Sequence, residues 1–207
     1  MIRLPKIREL IEACKAIILG PYTSGYPKVP TAVSKRFRGK PAYSDAGCVG
    51  CGACAHVCPV RAIECVDTVP GKAPRTRKMV LHLDECHYCG QCSALCTTKN
   101  DPVPGIDHTR EYELAGYDRR SMVSCTGEKE LVVCEVCDDV ITTKEHLVWI
   151  AAKIGTLSYS NPSLYLTAAS TLGIDISRAP GISGDTNRSD RLRVLCAKCK
   201  RVTTIER

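Results

Sequence analysis

Eight cysteines in two matched runs constrain this chain more than any other feature of its sequence. The first run consists of Cys48, Cys51, Cys54 and Cys58, and the second of Cys86, Cys89, Cys92 and Cys96. All four cysteines recur at one constant offset, and Gly52 recurs at the same offset as Gly90. An internal repeat of this kind indicates two copies of one structural unit. The eight thiols are therefore expected to act together.

The spacing C-x₂-C-x₂-C-x₃-C is typical of two-cluster ferredoxins, in which the fourth cysteine of each run ligates the other cluster. Three thiolates on a tight loop surround three corners of a [4Fe–4S] cube, and the fourth points away towards the second cube. The sequence therefore predicts one cluster on Cys48, Cys51, Cys54 and Cys96, and a second on Cys86, Cys89, Cys92 and Cys58. A zinc site or eight unrelated thiols would not explain four matched pairs at one offset.

The 15 cysteines of the chain allow either a disulfide framework or thiolate metal ligation. The N-terminal residues lack a long apolar core and a small-residue cleavage site, so a secretory signal is not expected. No apolar stretch of about 18 residues exists, so no transmembrane span is expected either. Thiols that are not exported stay reduced, and their regular spacing then favours metal. With 207 residues, the chain has room for one or two small domains.

The formal charge of +7 invites comparison with nucleic-acid-binding proteins. However, a [4Fe–4S]²⁺ core or a Zn²⁺ ion with four thiolates carries about −2. Two clusters and one zinc ion would bring the +7 to about +1, so no nucleic-acid partner is expected. The alternative is an RNA- or DNA-binding module near Arg191, Lys198, Lys200 and Arg201. That region lacks the interleaved aromatic residues on which bases stack.

A second group of cysteines follows in the C-terminal third of the chain. Cys134 and Cys137 form one C-x₂-C knuckle, and Cys196 and Cys199 form another, with the long segment 138–195 between the two. Two such knuckles suit a tetrahedral metal, so the pattern predicts an interrupted zinc-ribbon or rubredoxin-like site. Zinc is favoured over a single iron ion, since a closed site of four thiolates suits zinc. Four free thiols are the alternative.

Several secondary-structure elements follow from local patterns. An apolar i, i+3, i+4, i+7 stripe predicts an amphipathic helix over residues 6–19, which either docks on a partner or membrane surface or packs on its own domain. Two strands are predicted at 62–66 and 79–83. The basic residues between them are expected in a solvated loop, with binding of an acidic partner as the alternative: Lys72, Arg75, Arg77 and Lys78. A capping box from Thr142 to Glu145 predicts a helix through Ile154, and 155–190 reads as a loop.

These elements predict an α+β chain with three parts. Residues 1–41 form a docking helix and an extended arm, 42–115 the duplicated two-cluster ferredoxin-like domain, and 116–207 an extension that carries the C-terminal knuckles. No catalytic set is apparent, because the histidines are dispersed and no Gly-rich phosphate loop is present. The chain is therefore expected to carry electrons without catalysing a reaction itself.

Segments outside the cysteine runs resemble a known family. They are 22–27 (Tyr-Thr-Ser-Gly-Tyr-Pro), 36–41 (Arg-Phe-Arg-Gly-Lys-Pro), 111–114 (Glu-Tyr-Glu-Leu) and 196–201 (Cys-Ala-Lys-Cys-Lys-Arg). With the cysteine runs they resemble the iron–sulfur subunit of complex I. They resemble still more the ferredoxin-like subunit of formate hydrogenlyase and other energy-converting membrane-bound [NiFe]-hydrogenases. The chain departs from the family at Thr97, where many relatives keep proline, and in the long segment 155–190.

The resemblance implies a relay of single electrons from an electron-input iron–sulfur protein to the small subunit of a hydrogenase. The implied partners are the hydrogenase small and large subunits, the input protein and the membrane arm, on which the N-terminal helix would dock. The implied location is the cytoplasmic face of the cell membrane, held there through partner subunits. The alternative is the same relay in a complex I-type dehydrogenase that uses NADH or ferredoxin.

Overall fold

The computed structural model describes residues 6–20, 23, 25–68, 75–174 and 192–205, and divides the chain into two compact units, Met1–Phe37 and Arg38–Arg207. The first unit contains helix α1 (Ile7–Leu19), which lies within one residue of the predicted bounds. Its apolar side chains are exposed, with Ile17 at 83% and Ile18 at 81%. Gly20, with a φ of 79°, ends the helix. No helix in the described part of the chain is both long enough and apolar enough to cross a bilayer.

The described residues of the second unit form seven strands and five further α-helices. In chain order they are β1 (Pro41–Tyr43), α2 (Ala53–Val57), β2 (Ile63–Thr68), β3 (Thr76–His82), α3 (Gln91–Ala94), β4 (Ile106–His108), β5 (Val123–Cys125), β6 (Lys129–Val133), β7 (Val140–Thr143), α4 (Lys144–Ile154), α5 (Pro162–Thr171) and α6 (Ala197–Ile205). Short 3₁₀ helices occupy Arg119–Ser121 and Gly155–Ser160. The chain is thus a mixture of helices and strands, as predicted.

The duplicated part consists of two antiparallel strand pairs and two short helices. In one pair β2 lies beside β3, with Ile63 opposite Leu81, and in the other β1 lies beside β4, with Pro41 opposite His108. Helix α2 packs on α3 and β2, and α3 also packs on β4. The two predicted strands are therefore present, but β3 begins three residues earlier than expected. Residues 69–74 of the connection, including Lys72, lie outside the described residues.

The core of this part lies between the two strand pairs. Along β3 the buried positions alternate with less buried ones, so that Met79 and Leu81, each 1% exposed, point inwards. Ala62, Ile63 and Ile106 join them. Two cysteines of the runs, Cys54 and Cys92, are buried in the same cluster of side chains. The apolar core therefore abuts both cysteine runs.

The sheet continues from the duplicated part into the C-terminal part. The edge of β3 that faces away from β2 pairs with β5 near Val80 and with β6 at Thr76, and β7 then pairs with β6. The expectation of a solvated basic loop is wrong for Lys78 and for Arg77, since both lie within β3. The Arg77 guanidinium forms two hydrogen bonds to the carboxylate of Asp67, at 2.7 and 2.8 Å.

Helix α4 begins one residue later than the capping box predicted. The side chain of Thr143, not Thr142, caps the helix and accepts a hydrogen bond from the N–H of His146 at 3.3 Å. Gly155 ends the helix as expected. The loop prediction is wrong for 155–171, where the Gly155–Ser160 3₁₀ helix is followed by α5, and it is confirmed for 172–174. The rest of that segment, 175–190, lies outside the described residues.

Polar contacts join the C-terminal part to the duplicated part. Asp101 accepts hydrogen bonds at 2.6 Å from the Trp149 indole N–H and from the Lys153 ammonium of α4. These two donors lower the pKa of the Asp101 carboxyl. On the other side, the Lys129 ammonium donates to the carbonyl of Asp45 at 2.9 Å and lies 2.9 Å from a carboxylate oxygen of Glu145. These contacts hold α4 close to the first cysteine run.

Candidate functional site

Four cysteine sulfurs surround a space at the first cysteine run. Cys48 and Cys51 lie on the loop before α2, Cys54 lies in α2, and Cys96 comes from the end of the second run. The space has a volume of about 310 Å³ and is partly open to solvent. Its other walls include Met79 and Ile106 from the core. Three cysteines of one run and the last cysteine of the other thus face one another.

A second space of about 340 Å³ lies at the second run. Its cysteines are Cys86, Cys89, Cys92 and Cys58. The structure therefore brings together the same two sets of four cysteines that the repeat predicts. The pseudo-symmetry is local as well, because Gly50 in the first loop and Tyr88 in the second both have positive φ values, of 65° and 52°.

The thiols around both spaces are held in apolar surroundings. Burial raises the pKa of the Cys54 thiol to about 12 and that of Cys92 to about 11. Burial also raises the pKa of the Cys48 thiol. The backbone N–H of Gly50, which favours the thiolate, offsets part of this rise. Low-dielectric surroundings oppose bare thiolates, whereas iron ions would stabilise them. The chemistry of these two donor sets therefore fits a metal cluster and not a set of free reactive thiolates.

Polar groups also line the spaces. The Tyr43 hydroxyl lies 3.6 Å from the sulfur of Cys54, and the Thr97 hydroxyl lies 3.0 Å from that of Cys51. At the second space the N–H of Tyr88 donates to the sulfur of Cys86 at 3.4 Å. His108 lines that space, and its buried Nε2 has no hydrogen-bond partner among the described residues, while Nδ1 lies 2.8 Å from the carbonyl of Gly39. The hydroxyls of Tyr43 and Thr97 and the N–H of Tyr88 are hydrogen-bond donors for the sulfur of a ligated cluster.

Sequence reasoning missed most of these polar groups. Tyr43, His108 and Thr98 belong to no motif, and only the fold brings them to the cysteines. Thr98 lies 3.4 Å from the sulfur of Cys96 and also donates to the carbonyl of Gly47 at 2.9 Å. Thr97 alone gave a signal in the sequence, since it stands at the position of the proline that follows the first run.

The four C-terminal knuckle cysteines form a third site. The sulfurs of Cys134, Cys137, Cys196 and Cys199 all lie within 4.8 Å of one another, although the two knuckles are far apart in the sequence. The N–H of Glu135 donates to the carbonyl of Val194 at 3.0 Å, and the Glu135 carboxylate accepts from the N–H of Val194 at 2.9 Å. These contacts thus hold the two knuckles side by side.

Without metal, the third site favours one thiolate, at Cys134, whereas the pKa values of the neighbouring Cys137 and Cys199 thiols are raised. Burial would raise the pKa of the Cys134 thiol, but hydrogen bonds from the N–H groups of Cys196, Cys137 and Val136 outweigh it and lower the pKa to about 6. Sulfur-directed N–H groups of this kind stabilise metal-bound thiolates. The donor set and its compactness fit a tetrahedral metal ion with four sulfur ligands.

The chain is similar to known iron–sulfur proteins. The family described as "4Fe-4S dicluster domain" matches residues 38–100, which contain both cysteine runs. NADH-quinone oxidoreductase subunit I 2 of Geobacter metallireducens is 31% identical over 128 residues, which is 58% of this chain and 92% of the relative. Formate hydrogenlyase subunit 6 of Escherichia coli is 49% identical over 49 residues, which is 24% of this chain and 27% of the relative.

Two further matches are partial. NAD(P)H-quinone oxidoreductase subunit I of Synechococcus sp. is 33% identical over 102 residues, which is 49% of this chain and 47% of that relative. A chain in the structure of the membrane-bound sulfane sulfur reductase, an archaeal respiratory membrane complex, aligns with a TM-score of 0.39 and 21% identity, over 59% of this chain and 62% of that one. The dicluster match and the near-complete coverage of the Geobacter relative show that the chain belongs to the family of complex I-related iron–sulfur subunits, as its sequence predicted.

Proposed function

We propose that this chain holds two [4Fe–4S] clusters and that each cluster is ligated across the two runs. Cluster 1 would be held by Cys48, Cys51, Cys54 and Cys96, and cluster 2 by Cys86, Cys89, Cys92 and Cys58. The observation that carries this proposal is the pair of spaces, each lined by one of these sets of four sulfurs. When bound, such clusters accept and release single electrons.

The protein contributes ligands, apolar walls and hydrogen-bond donors. The backbone N–H groups of Gly50 and Tyr88 are directed at the sulfurs of Cys48 and Cys86, where they favour the more negative state of a ligated cluster. The Thr97 hydroxyl beside Cys51 acts in the same way. Interlocked ligation would also hold the two clusters at a fixed separation. These are the properties of an electron relay and not of a catalytic centre.

We infer further that the relay works inside a membrane-bound [NiFe]-hydrogenase complex of the formate hydrogenlyase type. It would pass electrons from an electron-input iron–sulfur protein to the hydrogenase small subunit, which is paired with the large subunit. The 49% identity to formate hydrogenlyase subunit 6 supports this inference, although it extends over only 49 residues. The C-terminal cysteine site supports it too, because subunits of the hydrogenase type are expected to carry such an extension. The chain would then lie on the cytoplasmic face of the membrane.

The parts of the chain would divide this work. Residues 42–115 would hold the clusters, 116–207 would form the metal-bearing extension, and 1–41 would dock the chain on the membrane arm of the complex. The exposed apolar side chains of α1, including Ile17 and Ile18, support a docking role for this helix.

Purification of the native complex tests the hydrogenase assignment. We expect this chain to copurify with a nickel-containing subunit in a preparation that evolves H₂. Copurification without any nickel-containing subunit would contradict the assignment. The same preparation from cells that carry the Ile17→Asp and Ile18→Asp changes should lose this chain from the membrane fraction, because the charges oppose burial of α1. Retention of the doubly changed chain would contradict docking through α1.

A complex I-type dehydrogenase is the second candidate, and a specific observation favours it. The Geobacter relative, a subunit of NADH-quinone oxidoreductase by name, is matched over 92% of its length. The chain would have the same relay role in that complex. Copurification with a subunit that oxidises NADH, in place of a nickel-containing one, would establish this alternative.

We propose that the third site binds one structural zinc ion. Four sulfurs within 4.8 Å of one another suit zinc, and N–H groups directed at Cys134 stabilise its thiolate. The ion would join β6, which ends just before Cys134, to the segment that begins α6. This would stabilise an extension whose two knuckles are far apart in the sequence.

Metal analysis of the purified chain tests the third site. We expect about one zinc ion per chain in addition to cluster iron, and we expect Cys196→Ser to remove most of the zinc because a structural zinc ion needs all four ligands. Cys125→Ser is the matched control, since Cys125 is an exposed thiol on β5 and lies outside all three cysteine groups. Unchanged zinc in Cys196→Ser would contradict the assignment, and one extra non-cluster iron in place of zinc would show a rubredoxin-like site.

A further inference from the structure

The two cluster loops have the same conformation but different surroundings. In the first loop, Gly50 and Gly52 are buried. At the matching positions of the second loop, Tyr88 and Gly90 are only half-buried. His87 and Cys89 are exposed there, whereas their counterparts in the first loop are half-buried. A repeat alone does not explain this difference. It arises because parts of the chain outside the repeat cover the first loop.

Thr143 is the residue that covers it most closely. Thr143 ends β7 and is fully buried. Its hydroxyl donates to the carbonyl of Val49 and accepts the N–H of His146 at 3.3 Å, so one oxygen joins the first loop to the start of α4. A Cβ atom on Gly50 would lie 2.8 Å from Cγ2 of Thr143, which leaves no room for a side chain there. At the matching position of the second loop, Tyr88 does carry a side chain.

Arg77 holds the next carbonyl of the same loop. Its Nη1 donates to the carbonyl of Gly50 at 3.2 Å, while two hydrogen bonds to Asp67 fix the guanidinium. The side chain of Arg77 is only 13% exposed, and the hydrogen bonds to Asp67 raise its pKa, so its charge is permanent. Because the Asp67 carboxylate balances this charge, Arg77 acts on the loop that carries Cys48 and Cys51 through its hydrogen bond to Gly50.

These two contacts orient the peptide groups of the loop. In a trans peptide the C=O and the following N–H point in opposite directions. Thr143 holds the carbonyl of Val49, so the N–H of Gly50 in the same peptide group points the opposite way, where it favours the thiolate of Cys48. N–H groups directed at a cluster stabilise its reduced form and raise its potential.

We propose that Thr143 of the C-terminal extension and Arg77 of β3 are positioning residues that raise the reduction potential of cluster 1, so that the extension, through Thr143, tunes one cluster of the pair and not the other. The proposal rests on the cluster assignment made above. Cluster 2 has its own contact, from Arg38 to the carbonyl of Cys89 at 2.7 Å, and is independent of Thr143. The extension thus has an electronic role in addition to any structural one.

The test is a redox titration of the full chain, purified anaerobically with its clusters and followed by EPR. Cluster 1 is identified as the signal that Cys54→Ser removes. Thr143→Val keeps the shape of the side chain but removes the hydroxyl, and we expect it to lower the potential of cluster 1 by up to about 59 mV, a tenfold change for one electron. Thr143→Ser keeps the hydroxyl and should restore the potential. Arg77→Gln should lower the same potential, and it serves as a second variant if Thr143→Val does not fold.

Thr142→Val is the matched control, because it makes the same chemical change one residue earlier. The Thr142 hydroxyl lies 2.9 Å from Nδ1 of His146 and belongs to the same turn. We expect neither cluster potential to move in this control. Equal shifts of both clusters, no shift in Thr143→Val and Arg77→Gln, or the same shift in Thr142→Val would overturn the inference and leave the cluster assignment intact. Absence of both EPR signals from the unmodified chain would overturn the proposed function, and this inference with it.

Discussion

Replacing Cys96 with serine is expected to remove the EPR signal of cluster 1 and to leave most of the cluster 2 signal. Cys96 belongs to the second run, yet it lines the space of Cys48, Cys51 and Cys54. Loss of one of four thiolate ligands removes a cluster corner, whereas the other cluster keeps all of its ligands. Iron content should fall by about half, since each cluster holds four of the iron ions.

The reciprocal change separates crossed from uncrossed ligation. Cys58→Ser should remove cluster 2 although Cys58 belongs to the first run. Cys96→Ser should therefore lose the same EPR signal as Cys54→Ser, and Cys58→Ser should lose the same signal as Cys92→Ser. If Cys96→Ser instead loses the same signal as Cys92→Ser, each run ligates its own cluster and the assignment is wrong. Cys125→Ser, which lies outside both spaces, should leave both signals unchanged.

Truncation of Leu81 to alanine is the change in the apolar core for which we expect the largest loss of stability. Leu81 is 1% exposed, faces Ile63 across the β2–β3 pair and lines the space of cluster 2. A buried leucine replaced by alanine costs about 2–5 kcal/mol, because the transfer free energy is lost and a cavity remains. The urea concentration at which the cluster absorbance bleaches should fall markedly under anaerobic conditions.

Leu172→Ala is the matched control for this change. Leu172 follows α5 and is 80% exposed, so its truncation removes the same atoms from a solvated position. Its effect should stay within about 0.5 kcal/mol. If Leu81→Ala bleaches at the same urea concentration as the unmodified chain, ligation alone stabilises this part and the apolar core contributes little.

The chemistry of the cysteines was visible in the sequence because their spacing is local. A C-x₂-C pair places two sulfurs on one turn whatever the rest of the chain does. The repeat therefore predicted both sets of four cluster cysteines, and the two knuckles predicted the C-terminal set. The long segment between Cys137 and Cys196 did not hide that site, since backbone contacts such as Glu135 to Val194 join the two knuckles. Helix α1 was likewise readable from its apolar period.

Features that depend on distant contacts were not visible. Segment 155–171 is rich in small polar residues and resembles a loop, yet Asn161 caps α5, Pro162 begins it, and Leu164 and Leu166 are buried. The sequence placed the start of α4 one residue too early, because Thr142 and Thr143 are adjacent. Only Thr143 can serve both the helix and the carbonyl of Val49, and that second bond selects it. Arg77 was assigned to a loop because Asp67, its partner, lies across a strand pair.

Cys89 and His87 of the second loop are exposed, whereas the first loop is covered. Oxidation in air should therefore reach the two cluster sites in a definite order. Oxidants attack sulfur ligands that solvent reaches before those that protein shields. We therefore expect oxygen to damage cluster 2 before cluster 1, so that a chain caught midway would keep cluster 1 alone. A complex that carries such half-loaded chains would be assembled but unable to conduct, so replacing or repairing this one subunit would restore the complex.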